Sequence, residues 1–119
     1  MNPRPMVWRP AAEKDAVDIA AHYAAEGGPA LELKFIDALA ATFDLIARQP
    51  VSGSTRHAAL FPELPAPLRF HPLRHFERIL VYYMAMPAHV EVIRLWDAAR
   101  GLDALLDGTD TSTQNRIDN

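Results

Sequence analysis

Three arginines lie in apolar, β-branched surroundings: Arg69 beside Leu68 and Phe70, Arg78 ahead of Ile79-Leu80-Val81-Tyr82-Tyr83, and Arg94 inside Val90-Glu91-Val92-Ile93-Arg94-Leu95-Trp96. Segments of that composition form strands, so the cations are carried on a sheet and presented to something anionic. His71 and His75 lie in the same half of the chain, and histidine titrates near neutral pH. Cleavage of a phosphodiester needs a proton acceptor, a proton donor and a cation around one phosphate, and His71, His75 and Arg94 are of the residue types for it. The plainer roles are loop or strand-edge histidines and, for Arg94, an ion pair with Glu77 or Glu91 across neighbouring strands.

The formal charge of −3 averages two unlike regions. Residues 11–47 hold Lys14 and Lys34 against seven carboxylates, whereas residues 48–100 hold seven arginines against four carboxylates. That layout offers one face to a basic partner and another to an acidic one. The absence of cysteine excludes disulfides, a thiolate nucleophile and cysteine-ligated metal, and fits a reducing cytoplasm. The five histidines fall mostly in separate segments. The spacing of His71 and His75 would serve a metal on a helix, which Pro72 opposes, so no metal site is expected. No glycine-rich phosphate loop occurs, and no cofactor is expected. No apolar stretch approaches the ~20 residues of a membrane-spanning helix, so the chain reads as soluble.

The elements that must position these side chains follow from periodicity and punctuation. A length of 119 residues suits one domain. Met6-Val7-Trp8 reads as a short edge strand. Ala12, Ala16, Ile19, Ala20 and Tyr23 then mark one face of a first helix that opens at Pro10 and ends at Gly27-Gly28. Leu31, Phe35, Leu39, Thr42, Phe43 and Ile46 mark a second helix from Pro29 to the residues before Pro50. The short connection predicts an antiparallel helical hairpin. Residues 51–67, broken by Gly53, Pro62, Pro65 and Pro67, form an irregular loop to which the sequence assigns no role. Leu68 to Leu73, with Pro72 marking an edge, and the two strong strands after it predict a three-strand antiparallel meander. Residues 98–106 add a short helical turn, and 107–119 read as a disordered tail. The expected fold is α+β, a single domain over 1–106 with helices covering one sheet face.

These residues together resemble the ParE toxins of the RelE/ParE superfamily in bacterial toxin–antitoxin pairs. The first helix is similar to the family's Pro-x-Ala-x-x-Asp-Ala-x-x-Ile-x-x-Tyr pattern over Pro10 to Tyr23, with slightly different spacing. The second matches at Phe35, Leu39, Phe43 and Ile46, followed by Pro50 and Gly53, and the last three strands match at Leu68-Arg69, Phe76 to Tyr83 and Val90 to Trp96. The resemblance implies a cytoplasmic growth inhibitor neutralised by a co-expressed antitoxin that wraps around it.

Within the superfamily, ParE-like members bind DNA gyrase and RelE-like members resemble ribosome-dependent ribonucleases. Residues 48–100 lack the lysines of the nuclease branch. After the last strand Asp97 repels a phosphate, and Trp96 cannot take a proton. The expectation is therefore a gyrase poison without a reaction of its own. Arg69, Arg78, Arg94, Trp96 and Arg100 would contact target or antitoxin, and Leu31 and Phe35 would lie in an antitoxin groove. The alternatives are a RelE-like endoribonuclease using His71, His75 and Arg94, and a non-toxic module that keeps only antitoxin binding.

Overall fold

A computed structural model describes residues 2–108. The chain runs through strand β1 (Met6–Trp8), helix α1 (Pro10–Arg48), a loop with two 3₁₀ turns, and strands β2 (Leu68–Leu73), β3 (Phe76–Ala85) and β4 (Val90–Asp97). The strands form one sheet in the order β1-β4-β3-β2. The tail expected at 107–119 falls, beyond Gly108, outside the described residues.

Three features correct the expected architecture. The first is helical: where an antiparallel hairpin of two separate helices was expected, α1 runs from Pro10 to Arg48 without a connecting loop, its two helical segments meeting directly at a kink at Gly28. Only Gly28 leaves helical geometry, at φ 74° and ψ −170°, a conformation open to glycine and strained for other residues. Pro29 resumes the helix at once, because proline's fixed φ is helical and its missing N–H costs little at the start of a helical run. No loop therefore separates the two apolar stripes. They pack on the same core, Ile19 and Tyr23 from before the break and Leu31, Phe35 and Phe43 from after it. Thr42 sits in that stripe with its hydroxyl donating to the carbonyl of Ala38 at 2.9 Å.

The second correction is the sheet, which has four strands and is mixed, not a three-strand antiparallel meander. β2, β3 and β4 pair antiparallel, but β1 joins parallel to β4 in the register Met6↔Val90 to Trp8↔Val92. The long α1 supplies the crossover that a parallel pair requires. Hydrogen bonds from Val90 N to Pro5 O and from Arg9 N to Val92 O, each 2.9 Å, close the two ends of β1. Pro72 lies on the edge strand β2, where its lack of an N–H is tolerated, and the register slips immediately after it.

Both faces of the sheet carry a core, where cover on one face was expected. Val81, Tyr83, Val92 and Leu95 pack under α1. Tyr82, Met84, Ile93 and Trp96 pack on the other face against Phe61 and Leu64 of the 51–67 loop and against Leu102 and Leu105. The loop thus has a structural role, because leaving these side chains in water would cost about 1.5–3 kcal/mol each. After β4, where a short helical turn was expected, successive turns bond Leu105 N to Leu102 O and Asp107 N to Ala104 O, both at 3.1 Å, and drop Leu105 into the second core.

Candidate functional site

The end of β4 and the start of β3 meet the first turns of α1 at one corner of the sheet. Ile79 pairs with Asp97, so Arg78 and Arg100 fall on the same rim. Between this rim and α1 lies an open cleft of about 590 Å³. Its helix wall carries Asp15, Asp18, His22, Tyr23 and Glu26, its sheet wall Arg78, Asp97 and Arg100, and Ile19, Ile79 and Leu95 supply the apolar lining.

The sheet gathers Arg78, Arg94, Trp96 and Arg100 at this corner and leaves Arg69 elsewhere. Trp96 is 1% exposed, packed in the second core and covered by cations: the Arg100 guanidinium lies 3.8 Å and that of Arg94 4.7 Å from the ring centroid. A partner arriving here meets guanidinium groups, not the indole. The Trp96 Nε1 is buried and has no acceptor among the described residues. Arg78 reaches Asp97 at 3.2 Å with two thirds of its side chain exposed.

Arg94 is more deeply engaged. Its Nε and Nη2 donate to the two carboxylate oxygens of Asp15 at 2.7 and 2.8 Å, and its Nη1 reaches the carbonyls of Leu105 and Asp107 at 3.3 Å. Asp15 also accepts from the Leu95 backbone N–H at 3.1 Å, on the edge of β4 that β1 leaves uncovered. The bond to Asp15, partly opposed by burial, raises the Arg94 pKa above its ordinary value. The ion-pair partner is thus neither Glu77 nor Glu91: Glu91 accepts from Arg9 at 2.7 Å, and Glu77 accepts from the backbone N–H of His75 at 3.2 Å.

Arg69 and His71 lie on the helix-side face of β2 and anchor the loop. Arg69 donates to the carbonyls of Val51 and Gly53 at 2.9 and 3.1 Å, and the His71 Nε2 sits 2.8 Å from Ser52 Oγ. Burial lowers the His71 pKa and favours the neutral ring. Tyr83 completes the anchor, accepting from Gly53 N at 2.9 Å and donating to Pro50 O at 2.7 Å. On the other face His57 Nδ1 meets Tyr82 OH at 2.9 Å. Burial raises both tyrosine pKa values, keeping them as neutral O–H groups.

His71 and Arg94 are on opposite faces of the sheet. His71 aligns with Val81 in the core under α1, whereas Arg94 aligns with Tyr82 in the outer core. His75 stands apart at the β2–β3 turn with a left-handed φ of 69°. Of the residues expected in a groove, Phe35 is 1% exposed and packs against Tyr23 and Phe76, and Leu31 is half-buried on the same core. The apolar side chains that α1 does expose are Val17, Leu33, Ile36 and Leu45. Among the described residues no cluster of histidines and carboxylates could hold a metal ion, and no helix is long and apolar enough to cross a membrane.

The sequence reading overlooked Asp15, Tyr82, Tyr83 and His57 as contacts that hold the corner and the loop. For Asp15 a signal was present: it is an acid beside the inward-facing Ala12, Ala16 and Ile19, at a position where the family pattern also has aspartate. Comparison with known proteins agrees with the fold. The family model described as the ParE toxin of the type II toxin–antitoxin system, parDE, matches residues 6–102. A search of curated proteins returned no match. A solved structure, the chromosomal ParDE TA system from P. aeruginosa, is similar at a TM-score of 0.63 and 18% identity, over 79% of this chain and 95% of that one. At that identity the structural likeness speaks for the fold, while the family match spans both apolar stripes of α1 and all four strands. The chain belongs to the ParE toxin family of type II toxin–antitoxin systems.

Proposed function

We propose that this toxin arrests growth by binding DNA gyrase and trapping its cleaved complex with DNA, and that a cognate antitoxin neutralises it. Family membership supports the reading, as does the similarity to the P. aeruginosa ParDE system. Within the superfamily the observation that favours a binding mechanism is the placement of His71 and Arg94 on opposite faces of the sheet. General acid–base cleavage needs both within hydrogen-bond reach of one phosphate, and a sheet filled on both faces does not provide that. Exposed guanidinium groups at Arg78 and Arg100 suit contact with an acidic surface instead, with Arg94 and Trp96 holding the corner in shape.

The test is a titration of purified protein into gyrase with supercoiled DNA and ATP, scored for linear DNA after detergent and protease. Linear DNA that accumulates with dose is the expected result. Its absence from a folded sample, together with cut messenger RNA on translating ribosomes, would replace this reading with the nuclease one. Absence of both, with antitoxin binding intact, would leave a non-toxic binding module.

A further inference from the structure

Ser52 and His71 form a hydrogen-bonded pair away from the sheet corner. Ser52 Oγ lies 2.8 Å from His71 Nε2, and the serine is exposed while the ring is half-buried on β2. Burial lowers the His71 pKa, so the ring is neutral near pH 7 and able to take a proton. With its own proton on Nδ1 the ring presents Nε2 to the hydroxyl, which is the arrangement of a serine beside its general base.

Other bonds already hold this part of the loop. Tyr83 accepts from Gly53 N and donates to Pro50 O, Arg69 donates to the carbonyls of Val51 and Gly53, and Ser54 exchanges both backbone bonds with Phe70. A Cβ at Gly53 would collide with the Tyr83 hydroxyl, so that close approach requires glycine. The backbone is thus fixed on both sides of Ser52, and the hydroxyl is carried on rigid chain. Arg69 bridges the two carbonyls that flank Ser52 and so brings a positive charge beside it. Among the described residues no carboxylate pairs with Arg69 or His71, and the Nε and Nη2 of Arg69 stay free of those bonds.

We propose that Ser52 is a nucleophile, activated by His71 and directed by Arg69 towards acyl donors with an anionic leaving group, the acyl phosphates. Ser52 Oγ adds to the carbonyl carbon, and its proton passes to His71 Nε2. The bond from that carbon to the phosphate oxygen then breaks, the departing phosphate takes the proton from His71, and an acyl ester remains on Ser52. Nothing is oxidised or reduced. The free donors of Arg69 meet the charge on the phosphate as it leaves. Attack of water on the ester, with His71 again taking the proton, releases the carboxylic acid and restores the hydroxyl.

Incubation of the folded chain with acetyl phosphate, followed by peptide mass mapping over time, tests this. Ser54 is the internal control: it is equally exposed, but its hydroxyl accepts from the Arg56 backbone N–H and has no histidine beside it. Acetyl should accumulate on Ser52 and not on Ser54, a comparison made on the parent chain that stands even if a variant fails to fold. His71→Gln keeps a hydrogen-bonding partner for Ser52 but cannot carry the proton, and should slow labelling of Ser52 at least about hundredfold. Arg69→Gln should slow labelling by acetyl phosphate more than labelling by the neutral ester p-nitrophenyl acetate. Ser52 labelled no faster than Ser54, or at the parental rate in a folded His71→Gln chain, would overturn the proposal. Equal slowing of the two donors by Arg69→Gln would overturn the assignment of acyl phosphates as the substrate class.

Discussion

Asp15 and Arg94, 79 residues apart, form a two-point ion pair at 2.7 and 2.8 Å in which the side chains are only 14% and 12% exposed. The pair locks the first turns of α1 to the uncovered edge of β4, and through Arg94 Nη1 it also holds the turns after β4. Removal of one partner leaves the other charge largely out of water. Arg94→Ala and Asp15→Ala should each cost on the order of 3 kcal/mol, and the double variant much less than the sum. Urea unfolding of the three variants checks this; additive losses would show that the two side chains act independently.

Arg78 and Arg100 should behave differently, because both are exposed. Arg78→Ala is expected to change stability by no more than about 0.5 kcal/mol. Arg100→Ala should cost about 0.5–1 kcal/mol through loss of its stacking on Trp96. Growth arrest at matched expression should nonetheless fall sharply in the double variant. Arrest that persists in a folded double variant would remove this rim from target binding.

Gly28 bends α1 with a backbone conformation reserved in practice for glycine. A Cβ added there meets no atom within 4 Å, so the penalty of Gly28→Ala is purely conformational, about 1–3 kcal/mol. Gly101→Ala, also in open space but at an ordinary φ, is the control and should lie within about 0.5 kcal/mol of the parent. Thermal unfolding of the two variants gives the comparison.

Burial lowers the His71 pKa from 6.5, so the unfolded chain takes up a proton more readily than the folded one. The stabilising contribution is complete above the ordinary histidine value and is lost as pH falls from there through the folded-state value. Stability should therefore slope downward below about pH 6.5, and His71→Gln should flatten that part of the profile. Denaturant midpoints across this range, measured for parent and variant, decide it; identical slopes would assign the effect to other groups.

Burial alone would raise the Glu91 pKa, but the hydrogen bond and charge of Arg9, with His89, outweigh it and hold the carboxyl below its ordinary value. Its contribution is present above the unfolded value of 4.5 and is lost as pH falls through the lower folded one. Glu91→Gln should thus weaken the chain near neutral pH and make acid unfolding less steep, as followed by circular dichroism; an unchanged acid limb would show that the Arg9 contact adds no stability.

Local chemistry in the sequence was sufficient for the strands and for the two apolar stripes of α1, because β-branched runs and helical spacing are properties of neighbouring residues. Pro72 announced an edge strand for the same reason, and the ordered set of core patterns from Pro10 to Trp96 carried the ParE resemblance. What depended on distant pairing was not legible. Gly27-Gly28-Pro29 reads as a connector, yet only Gly28 departs from helical geometry, and the parallel docking of β1 on β4 brings together residues more than eighty positions apart. Phe35 looks like a groove residue on a helical wheel until the sheet covers it. His71 and Arg94 look like partners until the pleat and the register place them on opposite faces. Asp15 became the counter-ion of Arg94 for a related reason: β1 ends at Trp8, which leaves the β4 edge open at Leu95 for a carboxylate carried in on the next helix.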